Sequence, residues 1–305
     1  MKISGFTMVR NATKLYFPIK EAIESILPIT DEFIVALDKG DEDDTTEQEI
    51  LSIQSPKIKI IYRTWDAELF KNSRIYAHET NVALSECTGD WCFYIQADEV
   101  VHENDLQYIH QACEQYIDQK EVDGFLFKYY HFWGDYQHYL PFHGWYRNEI
   151  RIIRNRRNIY SIKDAQSFRK ENEQKLHVIA LDAHVYHYGW VRPPLLMYRK
   201  KDTNDAIHAG KSHITISDKL FTYGNMAAIP LFKGTHPNVM EKRIQQLNWQ
   251  ECLSMKPVQL NRKKFKHEKW KYRVLSFFEN HFLNGKQWFG YKNWIVIGKF
   301  PRNYF

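Results

Sequence analysis

The sequence predicts an α/β fold built on a mostly parallel sheet, and three observations predict it. Over the first hundred residues short apolar runs alternate with amphipathic stretches of helical period, a rhythm that implies parallel strands joined by right-handed crossovers. The runs at 33–37 and 91–95 are continuously apolar rather than alternating, as strands covered on both faces are. Hydrophobic residues make up 44% of the 305, ample for the large core that such a sheet needs.

Taken in order, residues 3–9 (Ile-Ser-Gly-Phe-Thr-Met-Val) read as the first strand. Pro18 then opens a helix, because its missing N–H costs nothing in the first turn, and Ile19, Ala22, Ile23, Ile26 and Leu27 share one face. Residues 33–37 form the second strand. An acidic loop follows, where Asp44 or Thr45 caps a helix carrying Ile50, Leu51 and Ile53. The third strand spans 57–62 and leads to a helix around 74–86. The fourth, 91–95, stops at Gln96-Ala97-Asp98-Glu99, and the next helix gathers Leu106, Ile109, Cys113, Tyr116 and Ile117. Beyond residue 121 the pattern changes to strands of a mixed sheet at 124–130, 149–154 and 178–181, with 184–188 continuing the last. A helix is predicted over 193–209. From about 234 the chain reads as helical and basic, giving a main domain over 1–233 and an extension over 234–305.

Composition narrows the function classes. The longest apolar runs, such as 33–37 and 294–297, are far shorter than the ~20 residues of a membrane-crossing helix. The N-terminal stretch lacks the basic start, apolar segment and cleavage site of a secretory leader, so a cytoplasmic location is expected. Cys87, Cys92, Cys113 and Cys252 show no CxxC spacing, which argues against a cysteine zinc site and suits a reducing compartment.

In parallel sheets ligands bind beyond the carboxyl ends of the strands. That rule selects Arg10-Asn11, Asp38, residues 64–66 and Asp98-Glu99. The acidic pair after an apolar strand is the strongest signal. Carboxylates crowded into one crevice repel, and a divalent cation removes that penalty while holding a diphosphate. At 4 Å and an effective dielectric of 20, each unit charge pair is worth about 4 kcal/mol. The competing reading is an acidic turn capping the helix near Asn104.

These segments, in this order, resemble the family 2 glycosyltransferases over roughly residues 1–200, which implies a GT-A fold. The strand ending Arg10-Asn11 is similar to the family's opening strand and its nucleotide-contacting turn. Val35-Ala36-Leu37-Asp38-Lys39-Gly40, with Asp43-Asp44-Thr45, resembles its second strand and acidic loop, so Asp38 is expected on the base and ribose. Asn81-Val82-Ala83-Leu84 and Gly89-Asp90-Trp91 resemble the helix and turn that lead into the metal strand, which places Asn81 among the nucleotide-sugar-binding residues. Gln96-Ala97-Asp98-Glu99 stands where the family carries a DxD-type motif. Gln96 departs from it: an amide can hydrogen-bond ribose or a metal-bound water but brings no charge. The metal, Mn2+ or Mg2+, then rests on Asp98 and a ligand from elsewhere. Asp182-Ala183-His184-Val185-Tyr186-His187-Tyr188 is similar to the family segment that brings a histidine to the diphosphate, with His187 the first choice and His184 the second. An inverting transfer needs a carboxylate base on a loop after the central strands. Asp164 fits that order and Glu149 competes with it; without such a base the reaction would be retaining.

The remaining signals concern partners. Residues 129–146, rich in Tyr, Trp and His, offer rings for stacking on an acceptor sugar, against the plainer reading of packed rings. Among Arg192, Arg199, Lys200 and Lys201, Lys200 is the candidate for neutralising the diphosphate. The expected partners are a nucleotide-sugar donor and a glycan or lipid-linked acceptor. Residues 263–271 interleave lysines with Phe265 and Trp270, followed by Leu275, Phe277, Phe278 and Phe282. Docking on the main domain, peripheral contact with the inner face of the cell membrane and nucleic-acid binding compete there, and no nucleic acid is expected. Two other readings of the whole chain stay open. One is a nucleotidyltransferase, which would open with a glycine-rich phosphate loop where Val9-Arg10-Asn11-Ala12-Thr13 has no glycine. The other is a non-catalytic glycan- or nucleotide-binding protein on the same scaffold, which Gln96 keeps in play.

Overall fold

The computed structural model describes residues 1–210, 220–283, 285–288, 290 and 292–302. In chain order the elements are β1 (Ile3–Val9), α1 (Ile19–Ile26), β2 (Glu32–Asp38), α2 (Thr46–Leu51), β3 (Ile58–Arg63), α3 (Arg74–Ser85), β4 (Trp91–Tyr94), β5 (Glu99–Val101) and α4 (Glu103–Gln115). They continue with β6 (Gly124–His131), β7 (Asn148–Arg154), β8 (Ile159–Ile162), β9 (Ser167–Lys170), β10 (Leu176–His187), α5 (Pro194–His208), α6 (Glu241–Gln245), α7 (Trp270–Phe282) and β11 (Trp294–Lys299).

Among the described residues one nine-stranded sheet runs β11-β10-β6-β7-β4-β1-β2-β3, with β5 added against β10. Strands β4, β1, β2 and β3 are mutually parallel, whereas β7 runs antiparallel to both β4 and β6. The predicted class, a mixed and mostly parallel sheet flanked by helices, is the architecture found. The continuous apolar runs have the expected cause. Along β2, Phe33, Val35 and Leu37 join the core under α1 and α4, while Ile34 and Ala36 join a second core under α3 and the β8–β9 hairpin. Alternate side chains of a strand point to opposite faces, so a strand covered on both sides must be apolar throughout.

Three features differ from the expectation. Residues 176–187 form one long strand whose register against β6 shifts between Ala180 and His184. The hairpin β8–β9 and the short strand β5 were hidden, since three- and four-residue strands leave little periodicity. The tail is not uniformly helical: residues 234–302 contain α6 and α7, but β11 is a strand lying parallel to β10 in the main sheet. Of the aromatic tail, Phe289, Tyr291, Tyr304 and Phe305 lie outside the described residues. No helix of the described residues is long and apolar enough to cross a membrane.

Candidate active site

A cavity of about 500 Å³ opens at the carboxyl ends of the parallel strands. Arg10 and Asn11 line it after β1, Asp41 after β2, Trp65 after β3, and Gln96, Ala97 and Asp98 after β4. Lys200 reaches it from α5 and Asp164 from the β8–β9 turn. Residues nearly two hundred positions apart therefore share one wall.

The acidic pair divides its work. Glu99 is fully buried and takes a bidentate ion pair from Arg151 (2.7 and 2.6 Å), together with the Tyr129 hydroxyl at 2.8 Å. Its charge is satisfied inside the core. Asp98 instead faces the cavity, with Oδ2 at 3.5 Å from both His187 Nε2 and Lys200 Nζ. Burial pushes the Asp98 carboxyl up, but His187, Lys200 and Arg192 outweigh it and hold the group well below the usual carboxylate range. It is a carboxylate at any ordinary pH.

His187 arrives through β5. That strand pairs antiparallel with β10, setting His187 opposite Glu99, and the Tyr188 N–H donates to the Asp98 carbonyl oxygen at 2.8 Å. The ring's lone pair is then set by its neighbours. His131 Nε2 lies 2.6 Å from the Tyr146 carbonyl oxygen, which can only accept, so this nitrogen carries the proton. Burial and the neighbouring His187 push the His131 imidazole well below its ordinary value, so its Nδ1 is an acceptor. His187 Nδ1, 3.0 Å away, must donate to it. Nε2 is then the nitrogen that faces Asp98: its proton makes the ion pair with the carboxylate in the charged ring, and loss of that proton frees a lone pair for a cation.

Two lone-pair donors 3.5 Å apart suit one cation. Donors bonded to a single ion at about 2.1 Å each stand no more than about 4.2 Å apart. Gly189 keeps the space open: a Cβ there would stand 2.4 Å from Asp98 Oδ2 and 2.7 Å from His187 Nε2. No cluster of three or more His, Cys, Asp or Glu side chains able to hold a metal occurs among the described residues. These residues thus fit a divalent ion whose other ligands come from a bound phosphate or water.

Arg192 and Lys200 frame the same corner. Arg192, fully buried, donates to the Leu15 and Gly189 carbonyl oxygens and lies over the Phe17 ring. Lys200 Nζ donates to the Gly189 carbonyl oxygen at 2.7 Å and lies 5.1 Å over Phe17 and 5.5 Å over Trp190. Burial and Arg192 push the Lys200 ammonium down to about 7, against the pull of Asp98. A phosphate arriving there would restore its charge.

The other candidate residues fall into two groups. Arg10, Asn11, Gln96, Asp98, Asp164 and Lys200 line the cavity. Asp38 and Asn81 do not, and His187 meets the cavity only through its contact with Asp98. Asp38 accepts from the Gly40 N–H (2.8 Å) and the Trp65 N–H (2.7 Å) and sits 3.4 Å from Arg10 Nε, so it ties together the loops after β1, β2 and β3. Asn81 makes both amide hydrogen bonds with the Ser161 backbone (2.7 and 3.1 Å) and anchors β8 to α3. The left-handed Asn11 (φ 54°) receives the Asp41 N–H on its side-chain oxygen, against which Gly40 packs. The Gln96 amide donates to the Ala165 carbonyl oxygen at 3.2 Å, pinning the turn that carries Asp164. A carboxylate could not make that bond, which gives the departure from the acidic motif a physical reason.

Several expectations are corrected. His184, three residues before His187, points to the opposite face, where it stacks on Tyr130 (4.4 Å) beside a separate cavity. Glu149 is buried, bonded by Gln166 at 2.8 Å, and does not line the Asp98 cavity. Residues 129–146 are mainly packed rings: Tyr129, His131, Trp133, Tyr136 and His138 are buried. The rings lining the cavity are instead Phe17, Trp65, Phe70 and Tyr76. Trp65 lay within the strand-end rule, Arg192 was weighed beside Lys200, and His131 lay in the ring-rich stretch 129–146, whereas Gly189 carried no local signal.

No family model matches the chain, and no curated protein matches it. Among solved structures the chain is similar to S. aureus TarS in complex with UDP-GlcNAc, at 21% identity over 42% of this chain and 34% of that one, TM-score 0.32. It is similar to S. aureus TarS in complex with UDP at 15% identity over 68% and 65%, TM-score 0.40. It is also similar to glucosyl-3-phosphoglycerate synthase from Mycobacterium tuberculosis in complex with Mn2+, UDP and phosphoglyceric acid, at 17% identity over 43% of each chain, TM-score 0.29. The chain spans between about a third and two thirds of the length of these structures.

Proposed function

We infer that the chain is a GT-A-type glycosyltransferase, related to family 2, which moves a sugar from a nucleoside-diphosphate sugar to a hydroxyl of a glycan or lipid-linked acceptor. The observation that carries this reading is the corner formed by Asp98 Oδ2 and His187 Nε2, kept open by Gly189, with Asp98 and Lys200 on the wall of a strand-end cavity.

In this reading Asp98 and His187 would hold a divalent ion, Mn2+ or Mg2+, which would supply positive charge to the departing diphosphate. Lys200 adds a second positive charge at the same oxygens. The nucleotide lies along Arg10, Asn11 and Trp65. Asp38 acts indirectly by fixing Arg10 and the Trp65 backbone. The acceptor oxygen attacks the anomeric carbon as the bond to the diphosphate oxygen breaks. The acceptor proton passes to Asp164, which lines the cavity from the hairpin turn. A base so placed contributes roughly 10²–10⁴-fold and gives inversion.

The test is a panel of nucleotide sugars with and without manganese, read by thermal shift and by release of nucleoside diphosphate. A donor should raise the melting point of the native chain only with the ion present. Asp98→Ala should remove both the shift and the turnover while the protein stays folded. Undiminished turnover in that variant would overturn the reading, and release of pyrophosphate would favour a nucleotidyltransferase.

A further inference from the structure

Helix α7 is amphipathic the wrong way round for a helix that only docks on its own domain. Its inward face is polar. The buried Glu279 accepts from His143 Nδ1 at 2.7 Å and from the Trp288 N–H at 2.8 Å. Ser276 Oγ accepts from the His143 N–H at 2.7 Å, and Arg273 donates to the Ala228 carbonyl oxygen. Its outward face is apolar. Trp270 is 78% exposed, Phe282 69% and Phe277 53%, and Val274 and Phe278 lie on the same helical arc. Polar bonds fix the helix to the body, and rings are left in water. Such a patch marks an interaction surface.

The charge around it identifies the partner. Lys263, Lys264, Lys266, Lys269 and Lys271 are exposed on or just before the helix, and none is ion-paired among the described residues. The nearby acidic side chains are already engaged: Glu268 pairs with Arg262 (2.7 Å), and Glu279 is buried. An apolar aromatic stripe bordered by unpaired lysines is complementary to a surface with an apolar interior and anionic headgroups. We propose that the outward face of α7 seats on an anionic lipid bilayer, with Trp270, Phe277 and Phe282 entering the headgroup boundary and the lysines meeting lipid phosphates and carboxylates.

Sedimentation of the full chain with phosphatidylcholine vesicles, with and without about a third phosphatidylserine, tests this. Binding is expected only to the anionic vesicles, and it should weaken as salt is raised. The variant W270S/F277S/F282S should lose partitioning at least about tenfold, and K263S/K264S/K269S about tenfold. These side chains are exposed, so circular dichroism and the melting temperature should be unchanged. Nucleoside-diphosphate binding, read in parallel by thermal shift, reports on the Asp98 cavity separately. A failure there would leave the vesicle result standing. Absence of binding to anionic vesicles, or binding untouched by both variants, overturns the proposal. So does a concentration-dependent dimer that W270S/F277S/F282S dissolves, which would assign the stripe to a second copy of the chain.

Discussion

Asp98 and Glu99 show how far neighbours in sequence can differ in role. Glu99 spends its charge on Arg151, and Asp98 keeps its own for the cavity. The side chain that decides access is the absent one at Gly189. Gly189→Ala places a methyl group within 2.4 Å of Asp98 Oδ2, where a bound ion and the diphosphate would lie. The expected outcome is loss of manganese-dependent nucleoside-diphosphate binding by at least about tenfold, equivalent to about 1.4 kcal/mol, measured by titration calorimetry. Undiminished manganese-dependent binding in the alanine variant would mean that the ion sits elsewhere.

The strand-end loops and the β8–β9 hairpin are the elements that assemble the cavity. The hairpin's turn holds Lys163 and Ala165 in left-handed backbone conformations on either side of Asp164. It is tied down by two amides, Gln96 to the Ala165 carbonyl oxygen and Asn81 to Ser161. Asn81→Ala leaves the Ser161 N–H and carbonyl without their partner, at a cost of about 1–3 kcal/mol. Chemical denaturation should show that loss. Because Asp164 rides on the same hairpin, turnover should fall with little change in nucleoside-diphosphate affinity. Equal losses in both would place Asn81 against the nucleotide instead. The family resemblance suggested that contact for Asn81, and the packing of α3 on β8 sets its side chain on the Ser161 backbone instead.

At the scale of the whole molecule, buried charge shapes the response to pH. Burial raises the Glu149 carboxyl from its ordinary 4.5 to about 7, with Arg151 pulling it down. Between those values the folded chain keeps a proton that the unfolded chain has lost. The stability this group contributes is therefore fully present below about pH 4.5 and lost as pH rises through 7, by about 3 kcal/mol. Glu149→Gln removes the titration, so its stability should be flatter between pH 5 and 7 than that of the parent, to within about 1 kcal/mol. Urea unfolding across that range measures the difference. A parent and variant with parallel profiles would show that Glu149 is charged in the fold.

The sequence by itself determined the parallel half of the sheet, because continuous apolar runs and helical periodicity are local signals of burial on two faces and on one. It also indicated that the residues after β1, β2, β3 and β4 meet at one edge of the sheet, where the cavity lies, since strands joined by helical crossovers run parallel. Only the tertiary structure decided which carboxylate of the pair faces the cavity, that β5 lifts His187 beside it, and that Gly189 leaves room between them. Those outcomes depend on Arg151, Tyr188 and His131, which meet the acidic pair or His187 through sheet register rather than sequence proximity. A register shift of one residue turns a strand's side chains to the other face, and no local pattern in the chain reports it.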